Sequence, residues 1–221
     1  MLKGQNRNGF LLLALLLLVL AGCVTTGKQE PEPQKEEVAV AEEGPTVTQL
    51  TDGREGFIIK ETPHLEKEAV DKFDQAVALM EKQEYEEAAD LLETVIEDAP
   101  EVTAPYIDLA IACRQLGRLE EAEEYLETAL ELVPGHPVAS NEYGLLLRKA
   151  GRFEEARKIY EQSLANFPDY QPVRRNLGIL CDLYLRDPAC ALEQYEIYSK
   201  AMPKDEKVKL WIADLQMRLK K

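Results

Sequence analysis

Two histidines, four cysteines, a recurring pair of glutamates and three well-spaced arginines are the side chains in this sequence whose types could do chemistry. His64 follows Thr62-Pro63, and His136 sits in Pro134-Gly135-His136-Pro137. Neither has a second histidine or cysteine one helical turn away, so no metal pair is expected and His136 reads as a turn residue. There is no glycine-rich phosphate loop, no Gly-x-Ser-x-Gly elbow and no Cys-x-x-Cys. The pairs Glu86-Glu87, Glu120-Glu121 and Glu154-Glu155 recur at a fixed interval of 34 residues. Catalytic carboxylates have no reason to repeat with the chain, whereas acids in the first turn of successive helices are favoured by the helix dipole. The reading is a protein that is not an enzyme, with no cofactor, no metal and no small-molecule substrate. Arg114, Arg148 and Arg175 remain as groups able to hold a carboxylate.

The elements that would position those arginines come from the same period. Thr103–His136 and Pro137–Tyr170 repeat each other position for position: Gly117 answers Gly151, Leu119 answers Phe153, Ala122 answers Ala156 and Pro134 answers Pro168. Within a block, Tyr106, Leu109, Ala110 and Cys113 share one face of a first helix, which ends at Gly117. Ala122, Leu126 and Ala129 face back from a second helix, which ends before Pro134. Upstream, Ala69–Val102 supplies Ala76, Leu79, Tyr85, Ala88, Leu92, Val95 and Pro100; downstream, Gln171–Asp205 supplies Leu177-Gly178, Cys181, Ala191, Tyr195 and Pro203. The intervals between these prolines are 34, 34 and 35 residues, the last carrying an extra residue at Arg186-Asp187-Pro188.

This pattern resembles the tetratricopeptide repeat, with Lys72, Gln75 and Arg174 as departures where the family has other residues. The resemblance implies an all-α helical solenoid of about four helix-turn-helix repeats over residues 64–205, closed by a capping helix at 206–221. It also implies a binding scaffold whose first helices line a concave groove. Spacings of three and four place Phe73, Val77, Ile107, Ile111, Arg114, Asn141, Leu145, Arg148, Arg175 and Ile179 in that groove. Apolar at one end and basic at the other, it would suit a peptide with apolar side chains and a carboxylate. The alternative is that the apolar members pack between repeats and the arginines pair with surface glutamates. The family's lysine and asparagine clamp for C-terminal carboxylates is not matched, so a cochaperone role does not carry over.

Lys3 and Arg7 precede an apolar run, Phe10–Ala21, that is short for a spanning helix. It ends in Leu20-Ala21-Gly22-Cys23, which resembles the bacterial lipobox. The resemblance implies a signal peptide at 1–22 and a mature chain beginning at Cys23, which carries diacylglycerol and further acylation such as palmitate. Two or three acyl chains make membrane attachment effectively permanent. Val24 in the following position points to the outer membrane, facing the periplasm; a Gram-positive host would place the protein on the outer leaflet of its one membrane. Residues 23–63 are rich in Glu, Pro and Thr and read as a disordered tether. Phe57-Ile58-Ile59 is the exception, expected to dock on the first repeat or to bind a partner.

With 41 acidic residues against 26 basic, the formal charge is −15, or −17 once Lys3 and Arg7 leave with the signal peptide. Nucleic-acid binding, which needs clustered Lys and Arg, is not expected, and the membrane is reached through the lipid alone. Cys113 and Cys181 occupy the same position two repeats apart, beyond disulfide range. Cys181 and Cys190 lie in one helical hairpin, so a disulfide or two reduced thiols are both open. The function this composes is a lipid-anchored scaffold whose groove takes envelope proteins or peptides and which assembles or stabilises a cell-envelope complex. By analogy with similar repeat lipoproteins, that complex is of pilus or secretin type. The alternatives are a structural tether within the envelope and an accessory of an energy-coupled outer-membrane transport system.

Overall fold

A computed structural model describes residues 45–50, 56–61 and 65–220, all within one compact unit, Val40–Lys221. The expected leader, Cys23 and His64 lie outside the described residues. Four helical hairpins follow one another: α1 (Lys67–Glu81) with α2 (Tyr85–Asp98), α3 (Thr103–Leu116) with α4 (Leu119–Leu132), α5 (Pro137–Lys149) with α6 (Phe153–Asn166), and α7 (Gln171–Leu180) with α8 (Pro188–Ala201). A π-helical turn, Cys181–Leu185, extends α7, and α9 (Glu206–Leu219) closes the stack against α8.

Each first helix ends on a residue in the left-handed region that opens the turn to its partner. Gly117 (φ 81°) and Gly151 (φ 79°) fill this place in the second and third repeats, where the absence of Cβ makes the conformation free of strain. Gln83 (φ 65°) and Arg186 (φ 53°) fill it in the first and fourth. The second helices α2, α4 and α6 carry their glutamate pairs in the first turn, with no side-chain cap. There the carboxylates meet the helix dipole. In α8 and α9 the capping is done by Asp187, accepting from Cys190 N, and by Asp205, accepting from Lys207 N and Val208 N.

Within each hairpin a small residue on the first helix makes room for a large one on the second. The small positions are Ala76, Ala110, Gly144 and Gly178; the large ones are Leu92, Leu126, Tyr160 and Tyr195. All eight are buried. The exchange is compensated: Ala faces Leu in the first two repeats, and Gly faces Tyr in the last two. A Cβ on Gly144 would lie 2.1 Å from Cε1 of Tyr160, and one on Gly178 would lie 2.5 Å from Cε1 of Tyr195. These glycines are retained for space, not for backbone freedom.

The expectation for residues 23–63 changes at 46–49 and 57–60. Here β1 (Thr46–Gln49) and β2 (Phe57–Lys60) pair antiparallel, with Thr46 opposite Lys60 and Gln49 opposite Phe57. The composition argument for a tether does not extend to these residues, because Val47, Phe57 and Ile59 pack against the hydrophobic core. Nor does the hairpin dock on the first repeat. The Phe57 ring meets Tyr170, the N-cap of α7, edge-on with centroids 5.1 Å apart, and Gln49 Nε2 lies 3.3 Å from Met202 Sδ at the end of the fourth repeat. Glu61 reaches the second and third. The apolar side chains of β2 need cover, and the seam across the starts of α3, α5 and α7 supplies it.

Candidate functional site

His136 and Glu61 fasten this strap. His136 is 1% exposed and is the N-cap of α5, where its Nδ1 accepts from Ala139 N at 3.2 Å. An accepting Nδ1 leaves the proton on Nε2, so Nε2–H donates to Glu61 Oε1 at 2.7 Å. The other carboxylate oxygen accepts from Thr103 Oγ1. Burial raises the Glu61 pKa, but the bonds from His136 and Thr103 more than offset this and hold it below the ordinary glutamate value. The reading of His136 as a turn residue is therefore corrected. It is a buried cap and clasp, and its partner lies 75 residues away, beyond any local pattern.

The first helices α1, α3, α5 and α7 adjoin in order and present one continuous face. Ile111, Leu145 and Ile179 take the same position in three successive repeats and are half-buried, as are Phe73 and Val77 on α1. Ile107 differs, being 4% exposed and part of the core, so it offers no surface. Arg114 Nη2 bonds Glu142 Oε2 at 3.1 Å, and Asn141 Nδ2 bonds the other oxygen, Oε1, at 3.2 Å. Asn141 Oδ1 in turn accepts from Asn176 Nδ2 at 2.8 Å. These groups form a ladder within the face, so Arg114 is already neutralised. Asp108, beside Glu142, is half-buried; its burial and the Glu142 charge push its pKa up to about 6.

Arg175 lies over the Trp211 ring, 5.4 Å from its centroid, and 3.8 Å from Asp205 Oδ2. Arg148 lies 5.7 Å from the Tyr184 centroid; its Nη1 is buried with no hydrogen-bond partner. Beyond Ile179 the face ends in a cavity of about 620 Å³ between the π-helical turn, α8 and α9. Its apolar walls are Ile179, Leu183, Trp211 and Tyr195. Sequence reasoning missed this cavity, although the extra residue at Arg186-Asp187-Pro188 was the signal that this repeat is built differently.

Cys181 and Cys190 are joined by a disulfide across that turn, with Cα atoms 5.9 Å apart, while Cys113 is a buried free thiol. Burial and neighbouring glutamates push the Cys113 pKa up to about 11, so it is an unreactive core residue. Reduction, or Cys190→Ser, is expected to cost about 2 kcal/mol, the low end for a cross-link closing so short a loop. Urea unfolding with and without a reductant measures it. Among the described residues no helix is long and apolar enough to cross a membrane, and no cluster of His, Cys, Asp and Glu is placed to hold a metal ion.

The geometry of four stacked hairpins agrees with family profiles: the tetratricopeptide-repeat profile matches residues 104–169, and a second of the same description matches 72–101. The fold is that of tetratricopeptide repeats. MamA (41-end) from Desulfovibrio magneticus RS-1 superposes with a TM-score of 0.60 at 20% identity, covering 71% of this chain and 88% of that one. PilF from Pseudomonas aeruginosa gives a TM-score of 0.62 at 24% identity, over 69% of this chain and 70% of its own. YrrB, described as a tetratricopeptide-repeat protein with an unusual peptide-binding site, gives 0.53 at 21% identity over 63% and 72%. No curated protein sequence matches the chain. The tetratricopeptide fold implies a scaffold for protein–protein interaction.

Proposed function

We propose that this tetratricopeptide unit is anchored through lipid on Cys23 to the periplasmic side of a bacterial outer membrane. There its first-helix face binds envelope proteins and helps assemble or stabilise a complex of pilus or secretin type. The observation that carries the binding half is the aligned, half-buried row Ile111, Leu145 and Ile179, which no further helix of the described chain covers. The peptide-binding site named for YrrB and the similarity to PilF support the same reading. The anchor half rests on Leu20-Ala21-Gly22-Cys23.

Two variants of the full chain test the halves separately. Cys23→Ser is expected to leave the helical circular dichroism unchanged while abolishing attachment, since nothing else in the reading holds the protein to lipid. Retention in the membrane fraction through carbonate washing would refute the lipid anchor. Ile111→Asp places a charge in the row and is expected to remove envelope proteins that cross-link to the parent in cells. An unchanged cross-linking pattern would refute the binding face.

A further inference from the structure

Resting on the reading of the first-helix face as a protein-binding surface, we propose that the cavity at its C-terminal end is an anchor pocket. It takes a large aromatic or aliphatic side chain of a partner segment, with an adjacent carboxylate held by Arg186 and Arg148. A cavity of about 620 Å³ is large enough for any one side chain together with its flanking backbone. Its walls are the residues that suit such an anchor: Trp211, Tyr195, Ile179 and Leu183, the last 66% exposed and held out at the disulfide-closed turn.

The arrangement of charge selects the neighbour. Arg218 is occupied by Asp182 at 2.6 Å and Asp214 at 2.8 Å, which leaves those carboxylates committed within the pocket. Among the described arginines only Arg148, Arg174 and Arg186 have no carboxylate within ion-pair distance. Arg174 is spent on Gln194 Oε1 and Pro168 O. The other two both stand at the π-helical turn: Arg148 over Tyr184, with Nη1 buried and unpartnered, and Arg186 ending the turn and lining the cavity. In a chain of net charge −15, two such cations at one turn are an unmet demand for an anion. Arg186 also holds the left-handed conformation that the second and third repeats give to glycine.

Trp211 is the one tryptophan of the chain, so its fluorescence reports the pocket directly. The full chain is titrated with short glycine-serine peptides centred on Phe-Asp, Phe-Lys or Ala-Asp. The Phe-Asp peptide is expected to give a saturable change in Trp211 emission, and the other two to bind about tenfold more weakly. Arg186→Gly is expected to weaken the Phe-Asp peptide about tenfold while melting no lower than the parent, because the substitution relieves backbone strain. Equal binding of Phe-Lys and Phe-Asp, undiminished binding to Arg186→Gly, or no response to any peptide would each overturn the proposal. If Ile111→Asp removes envelope partners in cells while the peptides give no response, the pocket falls and the binding face stands. If the peptides bind as expected while Ile111→Asp changes nothing, the face as a whole falls and the pocket stands.

Discussion

Gly144→Ala is expected to destabilise the protein by about 3 kcal/mol, although alanine is the better helix former by about 1 kcal/mol. The added Cβ would lie 2.1 Å from Cε1 and 2.3 Å from Cζ of Tyr160, whose ring is fully buried. A ring enclosed on all sides cannot step aside by that much, so either the helices part or the ring is expelled. Expelling a buried aromatic side chain costs about 3–5 kcal/mol, which outweighs the propensity gain. The second repeat shows the remedy, since Ala110 stands opposite Leu126 there. Gly144→Ala combined with Tyr160→Leu is therefore expected to recover most of the loss. Tyr160→Phe alone should be neutral or better, because the hydroxyl is buried without a partner. Urea unfolding of the parent, Gly144→Ala, Tyr160→Leu and the double variant closes a double-mutant cycle. Additive losses in the double variant would show that the two positions do not compensate.

Glu61→Ala is expected to cost about 2–3 kcal/mol, the scale for removing a charged acceptor and leaving buried donors unsatisfied. It strands His136 Nε2–H and the Thr103 hydroxyl together, and it releases β2 from the seam. Amide exchange at Phe57–Lys60 should rise while exchange in α3 and α4 stays slow. Protection retained in β2 would mean that Phe57 and Ile59 alone hold the strap. The parent protein should show two opposed pH effects. Asp108 has a folded pKa raised to about 6, so the folded state takes up a proton before the unfolded chain does, and stability rises as the pH falls from 7 through that value. Glu61 is depressed, so its contribution is whole above the ordinary glutamate value of about 4.3 and is lost as the pH falls through the lower folded value. Melting temperature should therefore peak at mildly acidic pH. Asp108→Asn should flatten the rise without touching the acid fall.

What the sequence made legible follows from how local each determinant is. Pro100, Pro134, Pro168 and Pro203 end helices by their own covalent geometry, and Gly117 and Gly151 mark turns that need a left-handed residue. Such signals survive in any context, so the hairpins and the row Ile111, Leu145 and Ile179 could be read directly. Gln83 and Arg186 hold that turn position without its usual residue, which hid the fourth repeat's altered end. The strap was misjudged for another reason. The prolines and acids of residues 30–45 set the average composition, and they masked Thr46-Val47-Thr48-Gln49 and Phe57-Ile58-Ile59-Lys60, two short β-prone runs with Asp52-Gly53 between them. Arg114 and Asn141 follow from the repeat spacing, but the carboxylate that occupies them, Glu142, belongs to the neighbouring row of the repeat, which the spacing of three and four does not select.

The strap also fixes an order of events. Contacts inside the stack join residues about one repeat apart, whereas Glu61 meets His136 across 75 residues and Gln49 meets Met202 across 153. Loop closure over such spans is slow compared with helix pairing, so the repeats assemble first and the strap docks last. A chain made from its N-terminus meets this delay in its severest form: β1 and β2 emerge before every helix they lie on, and Tyr170 and Met202 follow more than a hundred residues later. Throughout that interval Val47, Phe57 and Ile59 are uncovered β-prone segments with an unpaired edge, the form of chain most prone to pair with a copy of itself. The acidic run just upstream, Glu30 to Glu43, stands where like-charge repulsion would keep two such newborn strands apart until the fourth repeat arrives to receive them.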